Sequence, residues 1–317
     1  MRFVRWIGIA LASFAAASAA VAQGYPDKPI RLIIPQGASG GADIVARMMS
    51  DGLHQRLGQP VVVENRPGGN ESIGPGAVAM AAPDGYTLGI ISATHSINQT
   101  SAGIRLAYDP QGFVPIAPMM SVPMIVMVNS SIEARDIPSL VALSKANPGK
   151  FNYGSAGPNT FAGMATEWLV RMSGADFTGV TYGTKGILQG LVANDIQMAF
   201  GGYAAASPIL QTGKAKVIAV TSAQRTARLP DVPTVAETYP GFAVVPWYGF
   251  VAPKGTPPEV VARLNKAIGE TLTELRPRLL ELGDEPMVMT PVEFQDFLKK
   301  DLKDWQKIVE AATVATK

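Results

Sequence analysis

Short apolar runs alternate with amphipathic helical patterns in the first hundred residues of the chain. The run Ile30 to Ile34 predicts a buried strand. A helical pattern follows and ends at Gly58, and its predicted apolar face consists of Ile44, Met48, Leu53 and Leu57. Val61 to Val63 and Tyr86 to Ile91 predict further strands, separated by a short helix over Ile73 to Ala82. This order is typical of a mostly parallel sheet flanked by helices.

The same alternation recurs from residue 124 onward. The predicted strands are Met124–Val128, Phe151–Tyr153, Ile196–Phe200, Val217–Val220 and the extended segment Val244–Val251. The predicted helices are Ser139–Ala146, one that ends near Ser173, Gly186–Ala193, Pro258–Leu275 and Pro291–Ala312. We therefore expect two α/β lobes, lobe 1 over 23–123 and 244–317 and lobe 2 over 124–243. Ligands of such sheets bind beyond the carboxyl ends of the strands.

The N-terminus has the pattern of a secretory signal peptide. Arg2 and Arg5 are followed by an uncharged apolar run from Trp6 to Val21, and Ala20-Val21-Ala22 offers a small-residue cleavage site after Ala22. A retained membrane anchor is the alternative, but the run is short for a span of ~20 apolar residues. We therefore expect residues 1–22 to be removed and the mature protein to lie in the periplasm.

Charge and composition exclude several classes of function. The 317 residues include 27 Lys and Arg and 25 Asp and Glu, and loss of Arg2 and Arg5 balances the two signs. A balanced chain is not typical of a nucleic-acid binder. The sequence has no Cys, and its only histidines are His54 and His95, so thiol chemistry and a histidine-rich metal site are excluded. We expect no metal, no cofactor and a monomer.

A loop of small residues joins the first predicted strand to its helix. Glycines in this loop let a ligand approach the backbone, and a helix N-terminus offers free N–H donors and partial positive charge. The loop lacks the Gly-Lys-Ser/Thr sequence of a phosphate loop. It would bind an anion, with Gln36, Ala38, Gly40, Gly41 and Asp43 as candidate ligand contacts. The alternative is that Ser39 or Asp43 only caps the helix.

A second loop of the same kind follows the strand that ends near Tyr153. Ser155, Asn159 and Thr160 can donate side-chain hydrogen bonds to a carboxylate, and the backbone at Ala156 and Gly157 is accessible. Hydrogen bonds to charged groups contribute roughly 1.5–3 kcal/mol each, so two or three suffice without an arginine. A capping role for Ser155 or Thr160 is the alternative.

A third polar stretch, Ser92 to Asn98, follows the strand that ends near Ile91. Ser92 and Thr94 are candidate ligand contacts at this strand end. His95 is interpreted as a packing or hydrogen-bonding residue, because no Gly-x-Ser-x-Gly turn supports a catalytic serine. Arg66 and Trp247 are interpreted as packing or bracing residues.

Several ordered motifs resemble those of one known family. They include the opening Tyr25 to Pro35 with Gly40-Gly41-Ala42-Asp43, the segments Gly58 to Gly68, Pro83 to Leu88, Tyr108 to Pro110, Tyr153 to Gly157, Ala219 to Ser222 with Arg225, Leu229 to Glu237, and Trp247 to Gly249 through Ala252-Pro253. With these motifs the mature chain resembles the tripartite tricarboxylate transporter receptors, also called Bug (Bordetella uptake gene) proteins. The resemblance covers essentially the whole mature chain.

The resemblance implies a two-lobed, type II periplasmic-binding-protein (Venus-flytrap) fold that closes on its ligand. In the family, backbone amides and ordered waters from the two small-residue loops hold a carboxylate. The expected partners are therefore a small carboxylate and the membrane permease subunits of a tripartite tricarboxylate transporter. No enzymatic activity is expected.

This sequence departs from the family pattern in lobe 2. Gly163 stands where a histidine is common, Asn159 replaces a usual glycine, and Tyr182 lies in an altered segment from Thr181 to Lys185. Gly201 follows Phe200 where an aspartate is common. Tyr182, Phe200 and Gly201 are further candidate contacts. Because the aspartate that could accept a hydrogen bond from a cation is absent, we expect a carboxylate ligand without a cationic group.

Two other classes of function remain open. An extracytoplasmic sensor that feeds a signalling receptor would use the same binding chemistry, and genes for permease subunits nearby would favour transport. An exported hydrolase is disfavoured by the absence of a recognisable nucleophile and base.

Overall fold

A computed structural model describes residues 24–38, 40–157, 159–182 and 186–313. The expected signal peptide, a cap by Ser39 and Lys185 therefore lie outside the described residues. Within them, no helix combines the length and the hydrophobicity needed to cross a bilayer.

Strands and helices alternate along the chain, as the sequence predicts. The strands are β1 (Ile30–Ile34), β2 (Val61–Asn65), β3 (Thr87–Ser92), β4 (Phe113–Ser121), β5 (Met124–Asn129), β6 (Asn152–Ser155), β7 (Thr178–Thr181), β8 (Met198–Gly202), β9 (Ala215–Val220), β10 (Trp247–Pro253) and β11 (Glu285–Pro286). The helices are α1 (Gly41–Leu57), α2 (Ile73–Ala79), α3 (Ala93–Thr100), α4 (Ile137–Ala146), α5 (Phe161–Ser173), α6 (Gly186–Ala193), α7 (Tyr203–Gln211), α8 (Pro258–Leu282) and α9 (Pro291–Thr313).

The strands form two separate sheets, which are the centres of two lobes. The sheet of lobe 1 has the order β11-β4-β10-β3-β1-β2, and the sheet of lobe 2 has the order β7-β6-β8-β5-β9. The pairs β1–β2, β1–β3, β6–β7 and β6–β8 are parallel, as expected. The sheets are nevertheless mixed and not mostly parallel, because β10 and β5, which enter from the other lobe, run antiparallel to both neighbours.

The two segments that cross between the lobes lie side by side. Only Val122 and Pro123 separate β4 from β5. The Val122 N–H donates to the carbonyl oxygen of Pro246, just before β10, at 2.8 Å. Near these crossings Trp247 is buried and packs edge-on against Phe294 and Phe297 of α9. Helix α9 thus covers the region where the lobes meet.

The predicted apolar face of α1 is wrong in its first two positions. Ile44 is exposed and Met48 is only half-buried, whereas Val45 and Met49 are buried together with Leu53 and Leu57. Val45, Met49, Leu53 and Leu57 repeat every four residues and form one continuous row on the helix surface. Ile44 and Met48 lie one position outside that row. The predicted face of α8, from Val260 to Leu272, is buried as expected.

Candidate functional site

A cleft of about 350 Å³ lies between the two sheets, at the carboxyl ends of their parallel strands. In lobe 1, the residue Gln36 follows β1, Glu71 lies in the loop after β2, and Ser92 ends β3. Tyr248 of β10 is the register partner of Ser92. The parallel strands therefore bring polar side chains from distant parts of the sequence to one wall of the cleft.

Hydrogen bonds join these side chains into one network centred on Glu71. Gln36 Nε2 donates to Glu71 Oε1 and to Tyr248 Oη, both at 2.8 Å. The Ser92 hydroxyl donates to Glu71 Oε2 at 2.5 Å and accepts the Thr94 N–H at 3.1 Å. The Glu71 carboxyl is thus held directly by side chains from two segments, and Tyr248 from a third segment bonds Gln36.

The loop that carries Glu71 has an unusual backbone. Four consecutive residues have positive φ, namely Gly68 at 119°, Gly69 at 57°, Asn70 at 49° and Glu71 at 62°. Glycine adopts this left-handed region readily, whereas a residue with a Cβ loses roughly 1–2 kcal/mol there. Glu71 is therefore held in a strained conformation at the wall of the cleft.

Lobe 2 presents the N-termini of two helices to the cleft. Thr160 caps α5, and its hydroxyl donates to the Gly157 carbonyl at 2.7 Å and accepts the Gly163 N–H at 3.2 Å. Phe161 and Ala162, the first two residues of α5, line the cleft, and helix geometry leaves their N–H groups without an intrahelical acceptor. Gly202, the N-cap of α7, also lines it. This wall therefore offers free donors and partial positive charge to an anion.

The remaining lining of lobe 2 is apolar. Together with Phe161, it consists of Met124, Ala156, Ile187, Leu188, Phe200, Gly201 and Ala205. Among the described lining residues of both lobes, Glu71 is the only charged side chain. The cleft thus combines one polar wall that contains an acid, one set of backbone donors and an apolar surface for a ligand's body.

A direct hydrogen bond connects the lobes at this cleft. Asn70 Nδ2 donates to the carbonyl oxygen of Asn159 at 3.1 Å and to Asn98 Oδ1 at 2.7 Å. Asn98 Nδ2 in turn donates to the Asn70 carbonyl oxygen at 2.8 Å. Asn70 is therefore fixed in lobe 1 and reaches the second small-residue loop of lobe 2.

Burial changes the acid–base properties of the polar wall. Desolvation raises the pKa of Glu71, although hydrogen bonds from Ser92, Gln36 and Thr94 oppose this shift. Desolvation, with a smaller contribution from the negative charge of Glu71, raises the pKa of Tyr248 as well. Tyr248 consequently remains a neutral phenol at physiological pH.

About half of the candidate contacts named from the sequence line the cleft. They are Gln36, Ser92, Thr94, Ala156, Thr160, Phe200 and Gly201. The structure does not bring Ala38, Gly40, Gly41, Asp43, Ser155, Gly157, Asn159 or Tyr182 into that lining.

In the first loop, Asp43 has a structural role. It is buried, and its Oδ1 accepts hydrogen bonds from Arg47 Nε at 3.0 Å and Asn65 Nδ2 at 2.9 Å. Asn65 Nδ2 also donates to the Gln36 carbonyl oxygen. Asp43 thus connects the start of α1 to the end of β2, and Gln36 alone among the described residues of this loop lines the cleft.

In lobe 2, three of the candidates support the backbone. The buried Ser155 hydroxyl accepts the Gly157 N–H at 3.3 Å, which stabilises the turn before Thr160. Gly157 has a φ of 143°, which favours glycine. The ring of Tyr182 packs where a Cβ on Gly186 or Gly190 would lie.

Gly163 has a steric reason for lacking a side chain. A Cβ at this position would overlap the Gly157 carbonyl oxygen, the same atom that accepts the Thr160 hydroxyl. The departure at Gly163 therefore belongs to the close packing of the second loop on α5.

The other singled-out residues pack as expected. His95 Nδ1 is 3.0 Å from Tyr108 Oη, and burial lowers the His95 pKa to about 4, so the ring is neutral. Arg66 Nε contacts Glu64 Oε1 at 2.6 Å, and Trp247 is buried beside α9. In the described part of the chain, no three His, Asp or Glu residues form a group that could hold a metal ion.

Sequence reasoning missed Asn70, Glu71 and Tyr248. The sequence did contain a pattern that could have indicated Asn70 and Glu71, because these two non-glycine residues follow Gly68-Gly69 in a turn between a strand and a helix. Tyr248 lies over 200 residues from Gln36, and only the order of strands in the sheet brings them together.

A family model and a curated relative both match most of this chain. The family model described as "Tripartite tricarboxylate transporter family receptor" matches residues 45–314. Protein BugT of Bordetella pertussis (strain Tohama I) is 31% identical over 321 residues, which covers 97% of this chain and 96% of BugT.

Solved structures agree with the fold. The periplasmic binding protein BugD superposes with a TM-score of 0.79 at 31% identity, covering 92% of this chain and 99% of that one. R. palustris Rpa4515, solved with adipate, gives a TM-score of 0.82 at 28% identity and covers 91% of this chain and 98% of that one. These similarities confirm the expected two-lobed periplasmic-binding-protein fold.

Proposed function

The chain belongs to the tripartite tricarboxylate transporter receptor family, and from this premise we propose that it captures a small carboxylate in the cleft between its lobes. The observation that carries the proposal is the lobe 2 wall. The unpaired N–H groups of Phe161 and Ala162 form a site for an anion at the N-terminus of a 13-residue helix, which Thr160 caps. The adipate held by R. palustris Rpa4515 is a molecule of this class.

The apolar lining indicates how the rest of such a ligand would be bound. Ile187, Leu188 and Phe200 can cover a short hydrocarbon chain once its carboxylate is held by α5. Burial of apolar surface stabilises the complex by roughly 25 cal/mol per Å². A carboxylate with an aliphatic body therefore fits this cleft better than a small inorganic anion does.

Binding would favour a closed arrangement of the lobes. Lobe 2, over residues 124–243, would move against lobe 1, over residues 23–123 and 244–317. A ligand that touches both walls interacts fully only with the closed state, so it shifts the population toward that state. The Asn70–Asn159 hydrogen bond would stabilise the same state.

The setting of this capture is also part of the proposal. We infer that the mature protein works in the periplasm after loss of residues 1–22 and delivers its ligand to the permease subunits of a tripartite tricarboxylate transporter. The alternative of a sensor that feeds a signalling receptor uses the same cleft. Co-purification with permease subunits would favour transport.

A thermal-shift comparison of acids with their neutral amides tests the proposal. Adipate, succinate and hexanoate are paired with adipamide, succinamide and hexanamide, which have similar shapes and no charge. A ligand that binds only the folded protein raises its melting temperature. We expect acids, and not their amides, to raise it. Equal shifts for each pair, or shifts only with the amides, would contradict carboxylate capture.

A further inference from the structure

We propose that Glu71 is a specificity determinant that selects ligands with an ammonium or another cationic N–H group beside the captured carboxylate. The inference deepens the proposed function and rests on the same cleft. The carboxylate end would lie at the N-terminus of α5 in lobe 2, and the cationic end at Glu71 in lobe 1. Such a ligand bridges the lobes with both of its charged ends.

The hydrogen bonding of Glu71 leaves one acceptor position for a ligand. Oε1 accepts a hydrogen bond from Gln36, Oε2 accepts one from Ser92, and the Thr94 side chain donates a third to the same carboxyl. The two carboxylate oxygens have four lone pairs between them, so one acceptor position remains. Because Glu71 lines the cleft, this position suits an N–H donor that enters with the ligand.

The charge of Glu71 has no counterion within the described residues. No Lys, Arg or His is found among the described residues that line the cleft, and none of the described ion pairs includes Glu71. A desolvated carboxylate is unfavourable unless an opposite charge approaches it. A cationic ligand group would supply that charge, whereas an additional ligand carboxylate at this wall would be repelled.

The backbone conformation of Glu71 also supports a functional role for this residue. The left-handed φ of 62° would suit glycine, so the glutamate combines conformational strain with desolvation of its carboxyl. Strained residues that persist at a binding cleft are frequently functional. Gln36 and Ser92 hold the strained side chain at the wall of the cleft, and Gln36 is itself bonded to Tyr248.

This inference differs from the expectation based on Gly201. That expectation assumed that an acceptor for a cation had to follow Phe200 in lobe 2. The structure places an acceptor, Glu71, on the opposite wall of the same cleft instead.

Calorimetric titration with matched probes tests the inference. Succinate is compared with L-aspartate, glutarate with L-glutamate, and hexanoate with 6-aminohexanoate, and putrescine serves as a cation without a carboxylate. The proteins are the wild type, Glu71→Gln, Glu71→Gly and the control Glu64→Gln, which removes the same charge outside the cleft. Thermal melts verify that each variant is folded.

We expect at least one amine-bearing acid to bind about tenfold or more tightly than its amine-free counterpart. Glu71→Gln and Glu71→Gly should abolish this preference, and Glu64→Gln should retain it. Equal or tighter binding of every amine-free acid, or a preference that survives both Glu71 variants, overturns the inference. If putrescine binds through Glu71 but no acid binds, the proposed function fails and the cation site stands. If no probe binds, both fail.

Discussion

Asn70 in lobe 1 and Asn159 in lobe 2 are joined by a side-chain-to-backbone hydrogen bond of 3.1 Å beside the cleft between the lobes. Asn70 directly precedes Glu71, so the residue that bridges the lobes and the acid at the cleft wall belong to one strained turn. A ligand that engages Glu71 is therefore expected to stabilise the closed arrangement that this hydrogen bond also favours.

Removal of the bridge should weaken ligand retention. Asn70→Gly deletes the side chain while keeping a residue that accepts the φ of 49°. One hydrogen bond contributes about 0.5–1.5 kcal/mol, so we expect ligand dissociation to be about 2- to 12-fold faster in stopped-flow measurements. Asn194→Gly, at a φ of 64° outside the cleft, is the matched control. Equal dissociation rates in the two variants would exclude a bridging role for Asn70.

The second loop should be more sensitive to substitution than the first. A Cβ in Gly163→Ala would collide with the Gly157 carbonyl and disturb the Thr160 cap, whereas Gly41→Ala has open space at the first position of α1. We expect Gly163→Ala to lose about tenfold or more in ligand affinity, because the donors of α5 shift. Gly41→Ala should bind like the wild type. A larger loss in Gly41→Ala would indicate that the carboxylate binds at the first loop, where the sequence places a third of the candidate contacts.

The contrast between the two loops shows what a sequence can predict here. Apolar runs and turn residues located most strands and helices, because local periodicity determines them. They did not reveal β4, in which Pro115 and Pro118 argue against a strand and the pairing with β10 has bulges, or α7, which contains Pro208. Both loops have the composition of an anion site, and composition alone cannot tell which of them faces the cleft.

The position of Glu71 at the cleft wall could not be predicted from the sequence for a different reason. The contacts of Glu71 with Gln36 and Ser92, and of Gln36 with Tyr248, depend on the strand order β10-β3-β1-β2, and no local pattern encodes that order. The left-handed turn at Asn70 and Glu71 is likewise imposed in part by the surrounding structure, since Asn70 tolerates that conformation but Glu71 disfavours it.

Binding of an amine-bearing acid should depend on pH. Burial raises the pKa of Glu71, so on acidification this carboxyl takes up a proton at a higher pH than an exposed glutamate does. The affinity for an ammonium is full above this raised pKa and falls as the pH falls through it. Gln36, Ser92, Thr94 and Tyr248 face the carboxyl, and the raised pKa of Tyr248 keeps that group neutral throughout.

Calorimetry of the tightest amine-bearing probe at about pH 8 and about pH 5 measures this effect. We expect weaker binding at the lower pH in the wild type and little change in Glu71→Gln. The same pH dependence in both proteins would assign the titration to a group other than Glu71.

Glu71 should cost the ligand-free protein stability. Glu71→Gly relieves both the left-handed strain and the desolvated charge, whereas Glu71→Gln relieves only the charge. After allowance for the greater chain entropy of glycine, we expect Glu71→Gly to raise the free energy of unfolding by about 1 kcal/mol and the melting temperature by about 2 °C. Glu71→Gln should also raise the free energy of unfolding at neutral pH, and this increase should vanish in acid, where the wild-type carboxyl is protonated. A lower melting temperature for Glu71→Gly would show that Glu71 stabilises the folded protein.

Occlusion of the cleft tests the central claim most directly. Ala205 lines the cleft at the start of α7, and its neighbour Ala204 is also exposed but is not among the residues that line it. The dissociation constant of the tightest-binding carboxylate is measured by calorimetry in the wild type, Ala205→Trp and Ala204→Trp. Capture between the lobes predicts that Ala205→Trp weakens binding about a hundredfold or abolishes it, while Ala204→Trp binds within about twofold of the wild type. Wild-type affinity in Ala205→Trp, or loss of binding in both variants alike, would contradict capture in this cleft.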